Sequence, residues 1–139
     1  MSSPSDETNL SQIALAAALE RTYRSDQRGF LSAFARLAEG VMPEVTEVTS
    51  KAKRLFSSEK TVVGVSVTLD TDIYTLTFQG DGHPLKAQRV KVVKGITLKT
   101  DDIKLVDWLT KLSAELHSRA KTSEEAHFAM ANFLEVQRM

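Results

Sequence analysis

The sequence predicts an α+β domain with N-terminal helices, a three-stranded antiparallel β-meander and a C-terminal helical hairpin. Three observations lead to this fold class. Apolar residues recur every three or four positions over residues 9–58, every second position over 61–99, and again every three or four positions over 101–138. Because short turns separate the alternating segments, neighbouring strands are expected to pair antiparallel.

Length and composition restrict the possible classes of protein. The chain has 139 residues, the length of one domain, and 18 basic residues balance 18 acidic ones. That balance argues against a strongly basic nucleic-acid binder, and the lack of cysteine excludes disulfide scaffolds and thiolate metal sites. No apolar run is long enough to suggest a membrane span, so no membrane association is expected. We expect a cytoplasmic protein, because a chain without cysteine fits a reducing compartment.

The N-terminal part is expected to be helical after a short leader. Residues 1–8 are polar and predict a flexible leader, and residues 9–139 predict one domain. The helical pattern of 9–58 divides into two or three pieces. Pro43 is suited to the first turn of a third helix, in which Val45, Val48 and Ala52 continue the helical spacing.

The middle of the chain predicts three strands. Residues 61–69 and 73–78 alternate apolar and polar side chains, and a longer strand is expected over 85–98. In the longer strand Val90 and Val92 share one face, which we expect to be buried, and Arg89 and Lys91 share the opposite, solvent-exposed face. Gly95 is expected to form a β-bulge within that strand.

The last part of the chain predicts a helical hairpin over 101–138. Val106, Leu109, Leu112 and Leu116 form one apolar face, and a second helix follows. The stretch 122–125 reads Thr-Ser-Glu-Glu, a capping-box pattern that indicates the start of this second helix.

The strongest candidate binding residues lie in a basic strand. Five basic residues and no acidic one occur over residues 86–99. We select Arg89, Lys91, Lys94 and Lys99 as the candidate binding residues, because a basic sheet face can hold a phosphate backbone or an acidic protein partner. Lysine along a sheet also serves to prevent unwanted strand pairing, or is simply solvated. Aromatic side chains that would stack on bases are not interleaved with these residues.

A second candidate is an apolar seam in the N-terminal helices. Phe34, Val41 and Val48 follow one another at a spacing of seven, which approximates a coiled-coil seam. One face of a three-stranded sheet is too small to cover the apolar faces of four or five helices. We therefore expect this seam to pack in the core, on a second copy of the chain or on a partner.

Two histidines provide a weaker candidate for a metal site. A turn near Lys121 would bring His117 and His127 to a similar height in the helical hairpin, where a neighbouring carboxylate could complete a zinc or iron site. No dense ligand motif accompanies them, so the prediction is no cofactor and no assigned metal. The sequence also contains no nucleophile motif or phosphate-binding loop, and no catalytic residue is assigned.

These observations predict a non-enzymatic cytosolic interaction or regulatory protein. It would act as a homo-oligomer or as a subunit of a larger assembly, through self-association, a protein partner or both. The first alternative is a nucleic-acid or phosphate-ligand binder that uses the basic strand 86–99. The second is a small metal-dependent enzyme at His117 and His127.

Overall fold

The computed structural model describes residues 17, 19, 21, 26–52, 55, 59–80, 82–124, 126, 128, 130 and 131. It confirms an α+β fold with an antiparallel sheet. Within the described residues the sheet has five strands, preceded by helix α1 (Gln27–Val41) and followed by helix α2 (Leu105–Ala120). The strands are β1 (Thr46–Ala52), β2 (Lys60–Leu69), β3 (Asp72–Thr77), β4 (Lys86–Val93) and β5 (Ile96–Asp102).

The sheet is a simple meander with its helices on one side. The strands are ordered β1-β2-β3-β4-β5, and every neighbouring pair is antiparallel. We call the helix-covered side the inner face and the opposite side the outer face. The buried inner-face side chains of the sheet are Val65, Val67, Leu69, Tyr74, Leu76 and Ala87.

Two aromatic side chains from the helices form the centre of the core. Phe34 of α1 and Trp108 of α2 are fully buried, and their ring centroids lie 5.0 Å apart. Phe30, one turn before Phe34, stacks on it at 6.1 Å. Aromatic pairs at these separations bind each other beyond the gain from burial alone. The contact holds the two helices together over the inner face.

The prediction of three strands and of a helix beyond Pro43 is wrong. Pro43 begins a single 3₁₀ turn, Pro43–Val45, and β1 follows at once. The Thr46 hydroxyl donates a hydrogen bond to the Met42 carbonyl at 2.8 Å, which closes this turn. Val48 fits a helical and an alternating pattern equally well. Pairing with Val65 of β2 decides between the two patterns, because strand preference depends on the neighbouring strand.

The long strand expected over 85–98 is also divided in two. Lys94 and Gly95 have positive φ angles of 52° and 78° and form the two-residue turn between β4 and β5. Positive φ at both positions is typical of a type I′ hairpin turn, in which glycine is favoured. Gly95 is therefore a turn residue, and the irregularity in pairing lies between Lys91 and Val92 instead.

The inner and outer faces of β4 are the reverse of the prediction. Arg89 pairs with the buried Tyr74, and Ala87 pairs with the buried Leu76, so Arg89 and Lys91 belong to the inner face. Val90 lies half-buried on the outer face. Alternation correctly separated the two sets of residues. It could not say which set the helices cover, because that depends on the register with β3.

The helical hairpin predicted over 101–138 begins later than expected, because residues 101–102 belong to β5, and its second helix is described only in part. A turn at 121–122 ends α2, and residues 124, 126, 128, 130 and 131 are again helical, while the residues between them and 132–139 lie outside the described part. The Ser123 hydroxyl accepts a hydrogen bond from the Ala126 amide at 3.0 Å. Ser123 thus occupies the N-cap position, one residue later than the capping-box pattern suggested, and the Thr122 hydroxyl donates to the Arg119 carbonyl.

Replacing Phe34 by alanine should destabilise the fold by about 3–5 kcal/mol, because it removes a buried aromatic side chain and leaves a cavity beside Trp108. Urea denaturation measures this loss. The matched variant Phe128→Ala removes a side chain that is 67% exposed and should change stability by less than about 0.5 kcal/mol. Equal effects in the two variants would contradict the assignment of Phe34 to the core.

Candidate functional site

The structure brings three of the four predicted basic residues together. Arg89 and Lys91 lie on the inner face of β4, and Lys99 of β5 is directly opposite Lys91. Lys94 lies apart from them, in the turn between the two strands. The three residues form a group on the inner face of β4 and β5, the last two strands of the sheet.

An acidic residue that the sequence analysis did not select pairs with two of these three residues. Asp101 lies opposite Arg89, and its carboxylate is 3.5 Å from the Arg89 guanidinium and 3.5 Å from the Lys99 ammonium. The hydrogen bond with Asp101 raises the pKa of Arg89, and the neighbouring Tyr74 adds to this effect. Alternation from Lys99 to Asp101 was the signal that could have revealed the pair.

An open groove of about 450 Å³ lies between this group and the start of α2. Its charges are mixed: Arg89, Lys104 and Lys111 are basic, and Asp102 and Asp107 are acidic. The Asp102 carboxylate accepts a hydrogen bond from the Gln88 side chain at 2.8 Å. The complete lining consists of Tyr74, Arg89, Asp102, Ile103, Lys104, Asp107 and Lys111. A groove with this mixture suits a partner with both charges better than a polyanion.

The predicted apolar seam is placed inside the chain. Phe34 and Val41 are buried in the core, and Val48 lies half-buried on β1, where it packs against the core. Packing within one chain therefore accounts for their spacing. A contact between two chains at these residues stays a prediction.

Of the two predicted metal-binding histidines, the structure describes His117. Its Nε2 atom is buried and has no hydrogen-bond partner among the described residues. Burial lowers the pKa of His117, and the positive charge of Lys121 lowers it further. His127 lies outside the described residues, and no cluster of three potential metal ligands occurs among those that are described.

The outer face is the surface that the sequence analysis missed. One row of directly paired residues, Thr68, Ile73, Val90 and Thr100, crosses four strands without a charge. We define the outer patch as Ile73, Val90, Val92 and Leu98: the first three are half-buried, and Leu98 is 60% exposed. No outer-face side chain of these strands belongs to the buried core of the described residues.

Comparisons with known proteins return no match: no family model fits the chain, and neither curated proteins nor solved structures include a similar one. Among the described residues, no helix has the length and apolar character needed to cross a membrane. The site must therefore be interpreted from its own geometry.

His117 makes the stability of the fold dependent on pH. Because the pKa of His117 is lowered in the folded protein, the unfolded chain binds a proton first as the pH falls below the ordinary value of 6.5. The free energy of unfolding should decrease below that pH and reach a plateau once the folded protein is also protonated. Urea denaturation at several pH values between 5 and 8 measures this slope.

The variant His117→Gln should reduce the slope, whereas His83→Gln, at an exposed turn residue, should retain it. The explanation would be wrong if the slope survived the substitution of His117.

Proposed function

We propose that this protein is a non-enzymatic cytosolic interaction protein that acts as a homo-oligomer or as a subunit of a larger assembly. The observation that carries the proposal is the one-sided packing of the sheet. The described helices cover the inner face and leave on the outer face an uncharged row that crosses four strands. The working surface is the outer patch together with the adjoining strand β5.

The composition of the outer face supports contact with another protein. An antiparallel sheet can expose one face to water, and threonine is common there. Ile73 and Val90 face each other at the centre of this row, where a purely solvated face would favour charged or polar side chains. The centres of protein interfaces are depleted of charge in the same way.

One exposed apolar residue of β5 extends this surface to the edge of the sheet. Leu98, which belongs to the outer patch, is 60% exposed. Val93 and Ile96 pair with each other after the outer-face Val92, so they lie on the inner face at the end of the hairpin. A contiguous exposed apolar patch is typical of an interaction site.

A charge at the centre of the outer patch should remove the partner that this patch binds. Val90→Glu places a carboxylate where a partner would exclude water, at a position that is half-exposed in the single chain. We expect the wild-type protein in extracts of its native cells to sediment at a mass above that of one chain. The variant should sediment at a lower mass than the wild type and retain its circular dichroism spectrum.

Thr110→Glu, at an exposed position of α2, is the matched control and should leave the assembly intact. The proposal fails if the wild-type protein sediments as one free chain, or if Val90→Glu leaves the assembly unchanged.

A second function, binding of a phosphate-bearing ligand, is favoured by the basic side chains of the groove. Arg89, Lys104 and Lys111 line the groove, and Lys91 lies on the same face of β4 as Arg89. Such binding requires an affinity for a short oligonucleotide that falls steeply with salt, and a smaller salt slope in Lys91→Glu. Undetectable binding at low salt would exclude this function. The ion pairs of Asp101 make it second to the interaction surface.

A further inference from the structure

We propose that β5 pairs with β5 of a second copy of this chain, antiparallel and centred on Thr100, so that two five-stranded sheets become one. This inference rests on the proposed function, since it specifies the homo-oligomer. Three features of the sheet edge support it: the direction of the backbone groups, the pattern of charge and the exposed apolar side chains.

The edge of β5 that faces away from β4 has backbone groups that no described residue pairs with. The Ile103 amide donates to the Ala87 carbonyl at 3.0 Å, and Lys99 and Asp101 are paired with Lys91 and Arg89 of β4. Because backbone groups alternate in direction along a strand, those of Thr100 and Asp102 point away from β4. No described residue pairs with this edge, and β5 is exposed along nearly its whole length.

The regular part of this edge is short. An irregularity in the pairing with β4 falls between Lys91 and Val92, opposite residues 97–99 of β5. At the other end the chain leaves the sheet after Asp102 to begin α2. A second strand can therefore pair regularly only near Thr100.

Charge selects the register of the pairing. A twofold axis at Lys99 would place this lysine opposite itself, and an axis at Asp101 would place two carboxylates opposite each other. An axis at Thr100 places Lys99 opposite the partner's Asp101, and Asp101 opposite the partner's Lys99. Opposite charges at directly paired positions stabilise a sheet, whereas like charges destabilise it. The lysine that would otherwise protect the edge becomes the residue that sets the register.

The same register brings together the exposed apolar side chains that lie near the two ends of β5. Ile96 is 65% exposed before the edge segment, and Val106 is 56% exposed in the first turn of α2 after it. In an antiparallel pair centred on Thr100, the Ile96 end of one strand approaches the start of the partner's α2. The pairing is isologous, so both ends of the interface make this approach.

The first experiment removes one outward amide. Thr100→Pro eliminates an N–H that points away from β4, so it should spare the hydrogen bonds between β4 and β5. Thr100→Ala retains the N–H and is the matched control. Sedimentation equilibrium of the full chain should show a dimer for the wild type and for Thr100→Ala, and a folded monomer for Thr100→Pro.

The second experiment reads the register with cysteines, which the natural chain lacks. Directly opposite Cα atoms in a hydrogen-bonded pair lie about 5.5 Å apart, within the range of a disulfide. Thr100→Cys should therefore form a covalent dimer rapidly under mild oxidation. In Leu98→Cys the two cysteines would be displaced along the strands by about 14 Å and should not form a bond. A mixture of Leu98→Cys and Asp102→Cys should form one.

A wild-type protein that stays monomeric at high micromolar concentration would overturn the proposal, as would a dimer that persists in Thr100→Pro. A monomer whose edge instead binds an unrelated extended peptide would also overturn it. In each case the effect of Val90→Glu on assembly is measured separately, so failure at the edge is distinguishable from failure of the outer patch.

Discussion

The packing of Phe34 against Trp108 is the contact on which the rest of this structure depends. Phe34 belongs to α1, which precedes the strands in the sequence, and Trp108 belongs to α2, which follows them. Both rings are fully buried and meet over the inner face of the sheet. Their burial, with that of the inner-face side chains of β2 and β3, provides the apolar contact that offsets the conformational entropy of folding. It also determines which face of every strand the helices cover. From β2 to β5, the register of each strand pair decides which residues of the next strand share that face.

As a consequence, the two faces of the sheet carry different side chains. On the inner face, Arg89 of β4 and Lys99 of β5 both form ion pairs with Asp101. On the outer face, the centre of the sheet is uncharged and aliphatic. Charged residues occur on the outer face at Glu47, Lys86 and Asp102, but the row at its centre is uncharged, which suits a protein partner better than a polyanion.

The sequence was sufficient to predict the α+β class, the antiparallel sheet and the turn that starts the last helical segment, because these depend on local periodicity and capping. The sequence was insufficient where a helical and an alternating spacing of apolar residues both fit the same segment. Val48 satisfied a helical and an alternating pattern, and pairing with β2 decided between them. The turn at Lys94 and Gly95 was not predicted: Gly95 was expected to form a bulge within one strand, and a lysine with positive φ is unusual in a two-residue turn.

The shared face of three basic residues was predicted, but its setting was not. Arg89, Lys91 and Lys99 do lie together, as alternation indicated. Their attachment to Asp101 and their position on the helix-covered side depend on register, and no pattern within a single strand specifies register. The outer patch escaped notice for the same reason: its valines were assigned to the core.

Hydrogen–deuterium exchange of the β5 amides, measured across a range of protein concentrations, tests whether two copies pair through this strand. The Thr100 and Asp102 amides should exchange slowly at high concentration and rapidly on dilution, while the Lys99 and Asp101 amides, which face β4, should be protected at both. Rapid exchange of Thr100 and Asp102 at every concentration would contradict the pairing of two copies through this edge.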